Sequence, residues 1–465
     1  MLPLGGCLLT DKPDPALDIP QAYDRAPKDP ALAEAAVPSL DWWRGFHSKE
    51  LTEIIEEARS ANLDIAAAVA QIEQADAQSR VAGAPLLPNV AANGTAAHSR
   101  SSQSLGSGFS TGGPSERNDL TASLTASYEI DFWGKNRSAL RAAEETAVAS
   151  RYNREVVGLA TVVSVANTYF QVLAAQDRLR IGRENVTSAA GILKLIRQQL
   201  SAGTASDLNV AQQESLLNTQ RAAIPPLEQT LQQNKAALAL LIARPPEHVV
   251  VRGGSMRGIA IPHVTPGLPS ELLAQRPDIR QAEAQLASAN ANVANARAQF
   301  LPSITLTGEG GYESAILKTL FRPESAFYTL TAGLTQPIFD GGRIQGNFDL
   351  QKGMQDQLLA NYRKAVISGF TDVEKALIAV RETTLTEKLQ RDVVNSSRRA
   401  FKLSDQQLHA GTVNLVTLLQ VEQTLFQAED ALVQARLARL QAIVSLYQAL
   451  GGGWLPKPVE TSDAR

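Results

Sequence analysis

The chain has 465 residues, 44% hydrophobic, 20% charged and only 5% aromatic, with a single cysteine and a net charge of −3. One cysteine excludes an internal disulfide framework, a cysteine-rich zinc site and an iron–sulfur cluster, and the charge excludes a bulk nucleic-acid binder. No stretch approaches the roughly 18–20 uninterrupted apolar residues of a membrane helix, so composition by itself points to a soluble, helix-rich protein of two to four domains.

In chain order, Leu4-Gly5-Gly6-Cys7 has the form of a bacterial lipobox, whose cysteine becomes the lipidated first residue of the mature protein. The segment before Cys7 is short for a signal peptide, so an ordinary thiol is the alternative. The Pro/Asp-rich residues 11–38 suit an extended tether, and residues 1–40 are read as lipobox plus tether. Trp42-Trp43-Arg44 with Phe46 reads as an anchor for that tether on a helical body, in preference to a ligand-stacking surface.

No proline lies between Pro114 and Pro225, or between Pro337 and Pro456. Proline breaks helix interiors, so both gaps can hold very long helices, predicted over 136–201 and 343–409. Each would run roughly 100 Å at about 1.5 Å per residue.

The chain also repeats itself. Asp64, Ile65, Gln71, Leu87, Pro88 and Gly94 return as Asp278, Ile279, Gln285, Leu301, Pro302 and Gly308, and QQLSAGT (198–204) returns as QQLHAGT (406–412). This predicts a duplication. The first repeat, 41–250, reads as a helix, a strand pair (88–132), the long helix 136–201 and a return helix (205–243). After a linker (251–269), the second, 270–455, gives a helix, a strand pair (303–339), the long helix 343–409 and a return helix (413–450), before a tail at 456–465.

The helical periods differ. Met354 through Val380 recur at the spacing of a nearly straight helix, whereas Leu419, Phe426, Val433, Leu440 and Tyr447 recur every seven residues, a coiled-coil seam.

Between Leu120 and Phe132, apolar residues alternate strictly with Thr121, Ser123, Thr125, Ser127, Glu129 and Asp131. Residues 303–312 and 328–338 repeat the pattern, and 90–100 does so more weakly. One apolar face and one Ser/Thr face fit a lipid-facing wall around a watery lumen; an edge sheet packed on helices is the alternative. Four strands cannot close a membrane barrel, and open edges in lipid leave backbone groups unpaired. A membrane reading therefore demands an oligomer.

Catalytic patterns are missing. Histidines 47, 98, 248, 263 and 409 are scattered, with no metalloprotease spacing, nucleophile elbow or Walker sequence. Gly308-Glu309-Gly310-Gly311 falls within a predicted strand and reads as close strand packing. No enzyme, metal or cofactor is expected.

The segments DWWRGFHSKEL (41–51), YEIDFWGKNR (128–137), AGTASDLNVAQ (202–212), IPPLEQTLQQNKAALALLIARPPE (224–247), LLAQRPDIRQAEAQL (272–286), TQPIFDGGRI (335–344) and YQALGGGW (447–454), with LGGC, resemble the TolC-type outer membrane factor family. Within it they are most similar to the lipoprotein subgroup serving RND efflux pumps. The resemblance implies a mainly α fold with membrane β: a homotrimer with a long α-helical barrel in the periplasm and a twelve-strand β-barrel, four strands per chain, in the outer membrane. Its expected role is passive export of small molecules in a Gram-negative bacterium. The partners are a periplasmic adaptor at the helical tips, an inner-membrane RND transporter and outer membrane lipid. A type I secretion duct for proteins is the nearest alternative, and a soluble periplasmic coiled-coil scaffold the alternative of another class.

By the same resemblance, Ala202-Gly203-Thr204 and Ala410-Gly411-Thr412 would be the periplasmic tips that dock the adaptor. Relatives often carry acidic residues just beyond; here Asn209, Gln420 and Asn414 stand at such positions, leaving Asp207 in the first tip and Glu422 further along the second. Rings of neutral amides hydrogen-bond but attract cations weakly. The expectation is an entrance closed by Leu415, Leu418 and Leu419 plus amide hydrogen bonds; amides that face neighbouring helices and gate nothing are the alternative.

Overall fold

The computed structural model describes residues 16, 39–100, 116–262, 264 and 269–454. Cys7, nearly all of the expected tether, residues 101–115, His263 and the tail expected at 456–465 lie outside the described residues.

The elements follow in order: α1 (Lys49–Ala61), α2 (Leu63–Gly83), β1 (Asn89–Arg100), β2 (Glu116–Ile130), α3 (Lys135–Ser201), α4 (Asp207–Ala222) and α5 (Ile224–Leu241). Then come α6 (Pro269–Gln275), α7 (Pro277–Ala298), β3 (Ser303–Ser314), β4 (Ala326–Thr335), α8 (Arg343–His409) and α9 (Leu415–Ala449). Both α3 and α8 have 67 residues.

Each long helix starts on a carboxylate. Asp131 accepts from the backbone N–H of Asn136 and Arg137, both at 2.9 Å, and Asp340 accepts from Gly342 and Ile344 at 3.0 and 2.9 Å. These bonds satisfy donors that the first helical turn leaves without partners. They give YEIDFWGKNR and TQPIFDGGRI a common physical purpose.

The return helix expected over 205–243 is two helices, broken at Ala223. Pro225 and Pro226 supply no N–H to a helix running through, yet suit the first turn of α5. Its counterpart α9 runs 35 residues without interruption. The strand expected to reach 339 ends at Thr335, just before Pro337.

The chain forms two compact units. One, with Gln71–Ser150 and Ala282–Tyr362, holds an antiparallel sheet in the order β1-β2-β3-β4. Its register sets Ala92, Leu124, Gly310 and Tyr328 in one row, and Val90, Ala126, Gly308 and Leu330 in the next. Residues directly opposite share a face, so the apolar positions of all four strands coincide. The other face carries Asn93, Ser123, Thr125 and Glu309, with Ser123 Oγ donating to Glu309 at 2.8 Å and Asn93 Nδ2 to Thr125 at 3.1 Å. Gly311 is required for packing: a Cβ there would lie 2.2 Å from the Ala122 carbonyl oxygen. The unit's helical segments join through Ser288 Oγ to the Ala142 carbonyl (2.8 Å) and Asn295 Nδ2 to the Lys135 carbonyl (2.7 Å).

The other unit, Ala16–Ala70, Arg151–Gln281 and Arg363–Arg465, carries the largest hydrophobic core. Trp42, Trp43 and Phe46 are buried there, with Trp42 stacked on Tyr447 at 4.7 Å and Phe46 against Phe170 at 5.1 Å. An 18-residue stretch of α3 reaches a mean hydropathy of 1.6, enough to cross a membrane by length and composition. Its Val162, Val165, Ala166 and Phe170 belong instead to this core.

Candidate functional site

The two tip turns, both in the second unit, are built alike. Gly203 (φ +73°) and Gly411 (φ +70°) adopt the left-handed backbone that favours glycine. Gly203 N–H donates to the Leu200 carbonyl and Thr204 N–H to that of Gln199, both at 2.9 Å; Gly411 donates to Leu408 at 3.1 Å and Thr412 to Gln407 at 2.9 Å. This double bond pattern satisfies the last carbonyls of α3 and α8. Thr204 and Thr412 add hydroxyl bonds to the same Gln199 and Gln407 carbonyls, at 3.0 and 3.2 Å.

The helices that leave the tips begin differently. Ser206 caps α4 in a reciprocal box, its hydroxyl accepting from Asn209 N–H while Asn209 Oδ1 accepts from Ser206 N–H at 2.9 Å. Asn414 caps α9, its Oδ1 accepting from Thr417 N–H at 2.9 Å. The carbonyl oxygens of both asparagines are thus engaged in local caps.

Leu415 and Leu418 are buried among Ile192, Ile196 and Leu408 of the same chain, with Leu419 half-buried beside them. These contacts lie within one chain. Asp207 and Gln420 are exposed. Leu208 and Val416, 65% and 55% exposed, are tip side chains that sequence reasoning did not single out. Each immediately follows a residue that was, and an apolar residue at the polar start of a helix was the signal.

Beyond this leucine cluster lies a buried polar group. Glu422 on α9 and Gln213 on α4 are both 0% exposed. Ser188 of α3 reaches Glu422 Oε1 at 3.5 Å, and Gln213 Nε2 donates to the Ala189 carbonyl at 3.0 Å. Glu422 Oε2 and Gln213 Oε1 have no hydrogen-bond partner. Burial pushes the Glu422 carboxyl up to about 7, against the Gln213 and Ser188 side chains, whose hydrogen bonding favours the ionised form, and with a small further push from the negative Asp405.

A second buried carboxylate sits in the opposite electrostatic setting. Glu387 on α8 is 1% exposed and accepts from Arg391 (2.8 Å), Arg436 (3.3 Å) and Arg439 (2.9 Å). Burial opposes ionisation of Glu387, but these guanidinium groups outweigh it and hold the carboxyl below its ordinary value. Nearby, Glu50 accepts from Gly253 N–H (2.8 Å), Arg252 N–H (2.6 Å) and Tyr169 (3.1 Å), and Asp177 accepts from Met256 N–H at 2.9 Å. These bonds tie the linker between the repeats to the helices. Among the described residues, no group of His, Cys, Asp or Glu is arranged to hold a metal ion.

Residues 54–244 and 268–452 match the outer membrane efflux protein family. The chain is 40% identical over 430 residues to the pyoverdine export outer membrane protein OpmQ of Pseudomonas putida, covering 92% of this chain and 91% of that one. It is 30% identical over 459 residues to the probable outer membrane lipoprotein SilC of Salmonella typhimurium, covering 97% of each. The CmeC outer membrane channel of Campylobacter jejuni superposes with a TM-score of 0.86 at 26% identity, covering 95% of this chain and 94% of that one. These relatives are outer membrane proteins, and the soluble scaffold is set aside. The chain belongs to the outer membrane efflux protein family and acts as an outer membrane exit duct of efflux.

Proposed function

We propose that three copies of the chain pair β1 of one with β4 of the next, closing a twelve-strand barrel in the outer membrane. The observation that carries this reading is the four-strand sheet itself. Its outer strands β1 and β4 have no second partner within the described chain, and its apolar face is bare, with Tyr328 82% and Leu330 80% exposed. Such a sheet is stable in lipid only if its edges meet. Native mass spectrometry of the detergent-extracted protein should give three chains per particle, and the protein should stay in membranes through a carbonate wash. A monomer, or release by carbonate, would sink the reading.

In this assembly the repeats 41–250 and 270–455 each give one strand hairpin and one tip. Tip residues Ala202–Thr204 and Ala410–Thr412 dock a periplasmic adaptor, and an inner-membrane RND transporter supplies the energy. Asp207, Asn209, Asn414, Gln420 and Glu422 belong to the entrance, where Leu415, Leu418 and Leu419 stiffen the tip. Gln420→Asp tests the amide ring: unchanged cation selectivity in single-channel recording counts against a lumen-facing Gln420. Cys7 carries the lipid, which palmitate labelling of wild type against Cys7→Ser would reveal. Small molecules are the cargo class, and the similarity to OpmQ makes pyoverdine the first to try.

A further inference from the structure

Glu422 combines complete burial, no cationic partner and an unpartnered oxygen. Buried charges ordinarily have a counter-ion or hydrogen bonds, because desolvation is otherwise too costly. Three helices besides its own supply its surroundings. From α3 comes neutral Ser188, and from α4 neutral Gln213. From α8 comes Asp405, of the same sign as the carboxylate and within 3.9 Å of His409. The adjacent Glu214 of α4 is engaged with Arg197 of α3 at 2.5 Å, in a partly exposed pair. Thus only the neutral Gln213 and Ser188 partly compensate an ionised Glu422 and no positive charge does, while two buried acceptor oxygens, Glu422 Oε2 and Gln213 Oε1, lack a donor. A proton on Glu422 would remove the uncompensated charge and add the donor that the group lacks.

We propose that Glu422 is a proton-operated latch on the periplasmic tip: its protonated Oε2 donates to Gln213 Oε1, clamping α9 to α4, and loss of that proton to water favours an open tip. The inference rests on the duct reading and gives it a regulator. The cluster adjoins two apolar groups that hold the tip together, Ile192, Ile196, Leu408, Leu415 and Leu418 on one side and Ala189, Leu193 and Leu217 on the other. A charge forced into it therefore acts on the helices that carry both turns.

The sign follows from linkage. In an open tip Glu422 meets water and titrates near its ordinary value of 4.5; in the closed tip burial raises it to about 7. Between these limits the closed form binds more protons, so rising pH shifts the balance toward opening, by up to about tenfold per unit. Above the upper limit the balance no longer changes.

The test uses the full-length protein in planar bilayers between pH 5 and 8. Wild-type open probability should climb with pH to about 7 and then level. Glu422→Gln, whose amide supplies a permanent donor to Gln213, should stay closed and lose the response. His409→Gln should keep it. Asp405→Asn, at a partly exposed site, should move the wild-type midpoint to lower pH. A flat wild-type profile, or the wild-type response in Glu422→Gln, would overturn the latch. So would a response abolished by His409→Gln, or a midpoint moved upward by Asp405→Asn. A chain that inserts but conducts at no pH breaks the duct reading instead. Spin labels at Thr412→Cys in the detergent-solubilised protein then decide the latch alone: separation that grows from pH 5 to 7 supports it, and constant separation overturns it.

Discussion

Glu387 and Glu422 are two glutamates on the second repeat's helical hairpin, both closed off from water, with opposite fates. Glu387 lies among Arg391, Arg436 and Arg439 and is held ionised. Glu422 meets only Ser188, Gln213 and the field of Asp405, and is held neutral into the physiological range. Burial sets the stakes for a carboxyl, while neighbouring charge sets the outcome. One region is built as a permanent electrostatic tie and the other as a titratable one.

The widest separation should come from removing the two charges. Glu387→Gln leaves three guanidinium groups around an uncharged side chain, and losing one member of a buried ionic cluster costs about 3–5 kcal/mol. Glu422→Gln at pH 8 should instead raise stability, by up to about 3 kcal/mol, because it removes a charge that burial leaves uncompensated. Thermal unfolding in detergent measures both; equal losses would erase the distinction.

Next is the apolar frame beside Glu422. Leu418→Ala should cost about 2–5 kcal/mol, as expected for a fully buried leucine, and Leu208→Ala less than about 0.5 kcal/mol, since that side chain is exposed.

The two carboxyls should also bend the stability–pH curve from opposite sides. The Glu387 contribution is present above the ordinary value of 4.5 and is lost as pH falls through its depressed one. The Glu422 contribution is intact below 4.5 and is lost as pH rises to about 7, at up to about 1.4 kcal/mol per unit. Unfolding midpoints across pH 3–8 should therefore lose their acid limb in Glu387→Gln and their descent toward neutrality in Glu422→Gln.

The smallest effects test how alike the tips are. Gly203→Ala and Gly411→Ala should each cost about 1 kcal/mol, the penalty for a Cβ in the left-handed region. The two values should agree within about 0.5 kcal/mol, since the turns share one hydrogen-bond pattern.

Much of this was legible beforehand. Strict alternation over 120–132 marked β2, and the proline-free gaps marked α3 and α8, because sterics write themselves locally. The break at Ala223 was legible too, in the adjacent prolines, although a single return helix was expected over 205–243. The two glutamates were harder. Glu422 stands four residues after Leu418 and three before Leu425, on the buried stripe of α9, so its phase gave its burial away. Arg391 lies one helical turn from Glu387, but Arg436 and Arg439, like the Ser188 and Gln213 that face Glu422, are dozens to hundreds of positions away, and no local pattern contains them. The caps were hidden for a related reason: resemblance marked the positions of Asn209 and Asn414, but the geometry that engages them belongs to their own turns.

The strand order has a consequence for assembly kinetics. Because β2 pairs with β3, the ladder joining the two hairpins forms within one molecule. In the proposed barrel only the seam between β1 and β4 must be found by collision. A half-length ancestor contributing one hairpin would have needed twice as many encounters to close the same wall. Duplication thus turned half of the intermolecular seams into unimolecular events and shortened the interval in which an unclosed sheet edge is open to wrong partners.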